Sequence, residues 1–250
     1  MRFLLTASLF VGLNFAVQAN NFLIPSLNSN LNNLVVNPPI TLKEQLFEFN
    51  NLPEGLTIHY KKAQLEAAPS RLQQSIMPLI DAYTLYLLNI DGKDVPSALQ
   101  NQIIKKHKAG EQKHIEISYK ILYQSADIFS LAIHAYILNG TETQPQKQHT
   151  WIINYDMKEH NLIQRKNLFK VSETEVLKQI QKLYEQGKFF DEKGSSVNVF
   201  SKAPILPEHM SFVDDDNILL LYQPHEFKDN PTTIKCYIPR AEIQHLWLYK

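Results

Sequence analysis

Alternation of apolar and polar residues in the middle of the chain predicts a sheet. Between His114 and Tyr123, isoleucine and tyrosine residues alternate with mostly polar residues, as a strand with one buried and one mostly solvent-exposed face requires. Residues 128–138 are apolar on both faces, and residues 150–156 form a third apolar run. We therefore expect a three-stranded meander whose middle strand is covered on both sides.

Helical periodicity is found on either side of this meander. Apolar residues recur every three or four positions after Pro78, which we expect in the first turn of a helix, and Pro96 opens a second helical pattern. Ser172 and Glu175 have the spacing of a capping box. They predict the start of a helix that continues to Gly187.

The remaining strands are expected in hairpins rather than in parallel crossover units. Residues 56–65 partly alternate, and residues 210–223 read as two strands joined by an acidic turn. Residues 232–238 form a last strand, after which Pro239 opens a short helix. Strands in runs and helices in runs predict an α+β fold, with mainly antiparallel sheets and helices packed on one face.

The start of the chain differs in composition from the rest. Residues 1–19 combine a basic start, an apolar run and a small residue at the end, which is the pattern of a cleavable signal peptide; the alternative is a retained N-terminal anchor. Residues 20–39 are rich in asparagine and predict a flexible tether. A strand-plus-helices subdomain at residues 40–110 and a C-terminal domain at residues 111–250 follow. We expect a periplasmic or secreted protein that has no stable membrane insertion after signal removal.

Charge and motif content exclude several classes of function. The 250 residues carry 25 basic and 25 acidic side chains, so no global positive field is present to bind nucleic acid. The single cysteine, Cys236, lies on an apolar strand face and predicts a buried thiol rather than a disulfide or a nucleophile. Nucleophile elbows, phosphate-binding glycine loops and zinc motifs are absent from the sequence. We therefore predict no catalytic residue, no cofactor and no metal.

The histidines and aromatic residues supply the candidate contacts for a ligand. His114 and Glu116 point to the same strand face, which we interpret as a solvated sheet surface, and His134 as a buried, hydrogen-bonded histidine. Trp151 and Tyr155 share one face of the third strand. On this face they either stack on a sugar ring or fill a pocket of a partner protein, or they belong to the core. The candidate ligand-binding residues are Trp151, Tyr155, His149, His225 and Glu226.

Several segments of the chain resemble a known exported domain. The strand end from Asn154 to Met157, the segment from Leu162 to Phe169, and the closing run from Ile238 to Ile243 are similar to the C-terminal domain of RsiV-type anti-sigma factors. That domain also follows the N-terminal module of some peptidoglycan deacetylases. The resemblance covers about residues 115–247, and it implies a secreted recognition domain, which in RsiV-type relatives binds lysozyme. The loops at residues 143–145 and 224–228 depart from the family pattern.

The first hypothesis is an exported, non-catalytic cell-envelope module that binds a protein, such as a muramidase of the lysozyme type, or a peptidoglycan fragment. Neither anti-sigma activity nor deacetylation is carried over from the resemblance. The second hypothesis is a cell-wall hydrolase that uses an unrecognised histidine and carboxylate pair. The third is a structural envelope protein without a ligand.

Overall fold

The computed structural model describes residues 39–140, 149–198, 204–223, 226 and 233–249. The predicted signal peptide, nearly all of the predicted tether and His225 lie outside these residues. Within the described ranges, no helix has both the length and the apolarity that a membrane crossing requires.

The larger sheet contains six strands, arranged in the order in which they occur in the chain. Neighbouring strands run antiparallel, except that β2 and β3 are parallel. This parallel pair joins the two segments predicted on either side of residue 110 in a single sheet. The strands are β1 (Thr41–Leu46), β2 (Leu56–Glu66), β3 (Lys113–Gln124), β4 (Ile128–Asn139), β5 (His149–Asp156) and β6 (Asn161–Leu162).

The smaller sheet contains three antiparallel strands. The predicted hairpin is confirmed, and the Asp214 carboxylate closes its turn by accepting hydrogen bonds from the backbone N–H groups of Asp216 and Asn217. The strands are β7 (His209–Phe212), β8 (Asn217–Tyr222) and β9 (Ile234–Pro239). Together with the larger sheet and the helices, they confirm the predicted α+β class.

The helices are short, apart from the first and the third. α1 (Ser70–Leu88) packs against β4 and β5, and α3 (Glu173–Glu185) packs against the smaller sheet. The others are α2 (Val95–Ala98), which continues as a π-helical turn (Leu99–Ile104), α4 (Arg240–Ile243), and 3-10 turns at Arg165–Leu168 and Gln244–Leu246.

Pro78 lies inside α1, so its predicted place in the first turn of a helix is wrong. The helix begins at Ser70, directly after Pro69. A proline in a helix interior costs about 3 kcal/mol, because it removes a backbone hydrogen bond and its ring crowds the preceding turn. Buried residues on both sides of Pro78, among them Ile76 and Ile80, offset this cost by keeping one face of the helix on the sheet.

The start of α3 confirms the capping box. The backbone N–H of Glu175 donates to Ser172 Oγ at 3.3 Å, and the backbone N–H of Ser172 donates to Glu175 Oε2 at 3.1 Å. The helix ends at Glu185, two residues earlier than predicted, and Gly187 follows with φ of +69°. A positive φ at this position ends the helix and favours glycine.

The central strand β4 is buried on both faces, as predicted. Leu131 and Ile133 belong to the core beneath α1, whereas Ile128 belongs to the core around the smaller sheet. On the other face, Ile152 of β5 packs against Leu219 and Leu221 of the smaller sheet. The second apolar face of the meander is therefore covered by strands.

Candidate functional site

A cleft of about 470 Å³ opens beside β5, and several elements of the fold contribute to its walls. Its size falls within the range of about 300–1,000 Å³ that is usual for small-molecule sites. Apolar and charged side chains both line it, among them Tyr83 from α1, Trp151 from β5, Glu173 from α3, His209 at the start of β7 and Glu208 just before that strand.

Trp151 is held in place by three aromatic neighbours. The Tyr83 ring stacks on it at 4.3 Å with an interplanar angle of 17°, and the Tyr86 ring meets it at 5.4 Å in an edge arrangement. From β7, the His209 ring lies 4.7 Å away at 64°. Each such pair adds about 0.5–1.5 kcal/mol to the effect of burial alone. The indole is therefore fixed in orientation while remaining partly exposed in the cleft wall.

Arg165 forms the charged wall of the same cleft. Its Nε and Nη2 donate to the two carboxylate oxygens of Glu173, at 3.0 and 3.2 Å. Its Nη1 donates to Glu208 Oε2 at 3.0 Å. Glu173 is the first residue of α3, where a negative charge is favourable next to the helix dipole. This arginine therefore ties a 3-10 turn, a helix start and the segment before β7 into one rigid edge.

Glu226 lies next to this edge and is held by the backbone. Its Oε1 accepts a hydrogen bond from the backbone N–H of Glu208 at 2.9 Å, and its Oε2 accepts one from the N–H of Gln223 at 2.5 Å. Burial raises the pKa of Glu226 from its ordinary value, while the two N–H groups oppose this shift by favouring the ionised form. Both carboxylate oxygens of Glu226 thus serve to join the two chain segments.

The structure describes the side chains of three of the five predicted ligand contacts. Trp151 lines the cleft, and Glu226 contacts the backbone of a cleft residue. Tyr155 is corrected from a candidate contact to a core residue: it is 0% exposed, and its hydroxyl lies 3.4 Å from Ser75 Oγ on α1. His149 is the first residue of β5, and its side chain is not described, while His225 lies outside the described residues.

Most residues of the cleft were not predicted from the sequence. Arg165 and Glu208 are 43 positions apart in the chain, and no local motif connects them. The one available signal was the spacing of Tyr83 and Tyr86, which places two aromatic rings on neighbouring positions of a helix. That signal predicts an aromatic surface on α1, without indicating that Trp151 lies against it.

A second polar group lies on β2 and β3. His59 approaches His114 and Glu116, the two residues that were interpreted as a solvated sheet surface. Their nitrogen and carboxylate oxygen atoms all lie within 4.8 Å of one another. Among the described residues, this is the one group of three or more histidine, cysteine or acidic side chains with the spacing of metal ligands.

No protein-family model and no curated protein matches the chain. Two of the solved structures that share its fold belong to the DUF3298 family. A DUF3298 family protein from Pseudomonas aeruginosa PAO1 superimposes with a TM-score of 0.58 at 12% identity, over 84% of this chain and 95% of that one. A member of the same family from Bacteroides fragilis NCTC 9343 superimposes with a TM-score of 0.51 at 11% identity, over 84% and 92%.

At these identities the likeness shows the fold alone. The fold is shared with DUF3298 proteins, a domain family of uncharacterised function. The finer prediction, membership of the RsiV-type family, stays a prediction.

Proposed function

We propose that this protein is a non-catalytic cell-envelope module that binds a glycan segment of peptidoglycan in the Trp151 cleft. The observation that carries the proposal is the position of a fixed, partly exposed indole beside the Arg165 edge, in a concavity of ligand size. Aromatic rings pack on the apolar C–H faces of sugars, and planar charged groups bind their hydroxyl and amide groups. The predicted signal peptide supports an envelope location.

The hydrogen-bond partners of the carboxylates support binding rather than hydrolysis. Glycoside hydrolysis requires one carboxyl group that donates a proton and a second that acts as base or nucleophile. In this cleft Glu173 and Glu208 are both bonded to Arg165, and the neighbouring Glu226 accepts two backbone N–H groups. Each of these three carboxylates therefore already has a structural partner within the protein.

The test is calorimetric titration of the full chain with purified, soluble peptidoglycan fragments. Trp151→Ala and Arg165→Ala remove the aromatic and the charged wall, and each should weaken binding by at least about tenfold, the effect of losing about 1.4 kcal/mol. Arg71→Ala is the matched control, because Arg71 is exposed and does not line the cleft. Tryptophan fluorescence should also change on binding, since Trp151 is partly exposed while Trp247 is 0% exposed.

Three outcomes would overturn the proposal. The first is the absence of saturable binding, and the second is equal binding by both cleft variants and the wild type. The third is release of new reducing ends from the fragments, which would establish the hydrolase hypothesis. A parallel titration with lysozyme examines the protein partner implied by the RsiV-type resemblance. Lysozyme binding that persists in both cleft variants, with no glycan binding, would favour that partner.

A further inference from the structure

The parallel pairing of β2 with β3 brings two histidines and a glutamate to the same face of the larger sheet. His59 lies directly opposite Glu116 in the strand register, and His114 precedes Glu116 by two residues. Because residues two apart in a strand point to the same side, all three side chains project together. The alternate positions Ile58 and Ile115 are buried on the other side, which fixes this orientation.

The distances within this group match those of metal ligands. His59 Nδ1 lies 3.1 Å from Glu116 Oε2, and His114 Nε2 lies 3.5 Å from the same oxygen. Two ligand atoms bound tetrahedrally to one Zn²⁺, with bonds of about 2.0–2.2 Å, are separated by about 3.3–3.6 Å. Small side-chain rotations therefore suffice to place all three atoms around one ion. The centroids of the two imidazole rings lie 4.9 Å apart, and the ring planes are nearly perpendicular.

A simple ion pair accounts for less of this arrangement. One histidine is enough to pair with Glu116, yet two approach a single carboxylate oxygen. The nearest lysines in the sequence have other partners: Lys61 Nζ lies 3.0 Å from Glu44, and Lys113 Nζ lies 4.0 Å from Glu111. Neither lysine forms an ion pair with Glu116. The imidazole nitrogens that approach Glu116 coordinate metals when they are neutral.

Access and rigidity also favour a site for an ion. The side chains of His114 and Glu116 are 31% and 30% exposed, and that of His59 is 62% exposed, so an ion reaches them without opening the fold. All three residues lie within regular, paired strands rather than in loops. Ligands on such elements are held close to their bound geometry before the ion arrives.

We propose that His59, His114 and Glu116 bind one divalent transition-metal ion of the zinc class. Two imidazole nitrogens and one carboxylate oxygen suit Zn²⁺, Co²⁺, Ni²⁺ and Cu²⁺, whereas Ca²⁺ and Mg²⁺ prefer oxygen ligands alone. With three ligands from the described residues, the ion keeps a position for water or for a ligand from outside the chain. The site is separate from the residues of the Trp151 cleft, and its existence does not depend on glycan binding.

The test is titration of the metal-stripped full chain with Zn²⁺ in the presence of a weak competing chelator. Each of His59→Gln, His114→Gln and Glu116→Gln should lower the affinity for Zn²⁺ by more than about tenfold. Substitution of residues that only hydrogen-bond to metal ligands already lowers metal affinity by about 10–100-fold. His245→Gln and His160→Asn are the controls, since both histidines are exposed and lie outside the group. Titration with Co²⁺ should give the intense visible absorption of a four- or five-coordinate ion.

The result that supports the site is one ion per chain that depends on all three residues, with both controls behaving as wild type. Wild-type protein that binds neither Zn²⁺ nor Co²⁺ would overturn it, as would binding that survives the three substitutions or disappears in a control. Circular dichroism of the metal-free variants separates loss of ligand atoms from loss of fold. If Glu116→Gln is unfolded, the two histidine variants decide the question.

Discussion

His134 should make the stability of this protein depend on pH. It lies in β4, and its Nδ1 is 2.9 Å from Thr150 Oγ1 on β5. Burial lowers the pKa of His134 from 6.5 to about 4, and the positive charge of Lys235 acts in the same direction. Between these values the unfolded chain binds a proton that the folded protein does not. The free energy of unfolding is therefore unaffected above about pH 6.5 and decreases as the pH is lowered from there towards about 4.

The size of this effect follows from the two pKa values of His134. At about 1.4 kcal/mol per unit, the difference of 6.5 − 4 = 2.5 units corresponds to an upper limit of about 3 kcal/mol. About 2 kcal/mol of this should already be lost at about pH 5, where the unfolded imidazole is almost fully protonated. The limit is an upper one because His134 is only partly buried, and solvent screens part of the cost of its charge.

Urea unfolding of the wild type and of His134→Gln, at about pH 7.5 and about pH 5, measures how much the free energy of unfolding of each protein changes with pH. The variant cannot gain the proton, so its free energy of unfolding should fall by up to about 2 kcal/mol less than that of the wild type. His160→Asn is the control, because His160 is exposed and has a φ of +55°, which asparagine tolerates. An NMR titration of His134 with a midpoint near 6.5, or an equal loss of stability in the variant, would refute the reasoning.

Two further predictions concern α3 and β9. Ser172→Ala should lower the free energy of unfolding by about 1 kcal/mol, because the N-cap hydrogen bond from the backbone N–H of Glu175 is lost. Thr174→Ala, in the same exposed turn, should lower it by less. Urea unfolding of the two variants measures both values. Cys236 is 0% exposed, and burial raises the pKa of its thiol to about 12, so a thiol reagent should modify it only in denaturant; rapid modification of the folded protein would contradict its place in the core.

The secondary structure was predictable where the signal is local. The alternation in β3 and the capping box of Ser172 each depend on residues a few positions apart, and both predictions are confirmed. Pro78 was misplaced because the preference of proline for a first turn was weighed without the buried face that continues past it. The packing of Ile152 on the smaller sheet was not predictable, because an apolar strand face does not indicate what packs on it.

The sites were far less predictable. Trp151 was recognised as a candidate, but its neighbours Tyr83 and His209 come from distant parts of the chain. His114 and Glu116 were correctly placed on one strand face, yet the residue that changes their meaning is His59, 57 positions away from Glu116. The contact exists because β2 pairs in parallel with β3, although α1 and α2 lie between them in the chain.

The amino-acid sequence by itself determined most of the strands and helices and many of their apolar faces, because those properties depend on residues that are close together in the chain. Only the tertiary structure decided which strands are neighbours and what covers each apolar face. The physical reason is that alternation marks a side of a strand as apolar or polar and carries no information about its partner. The Trp151 cleft and the His59 group both arise from such partners, so neither existed as a pattern in the sequence.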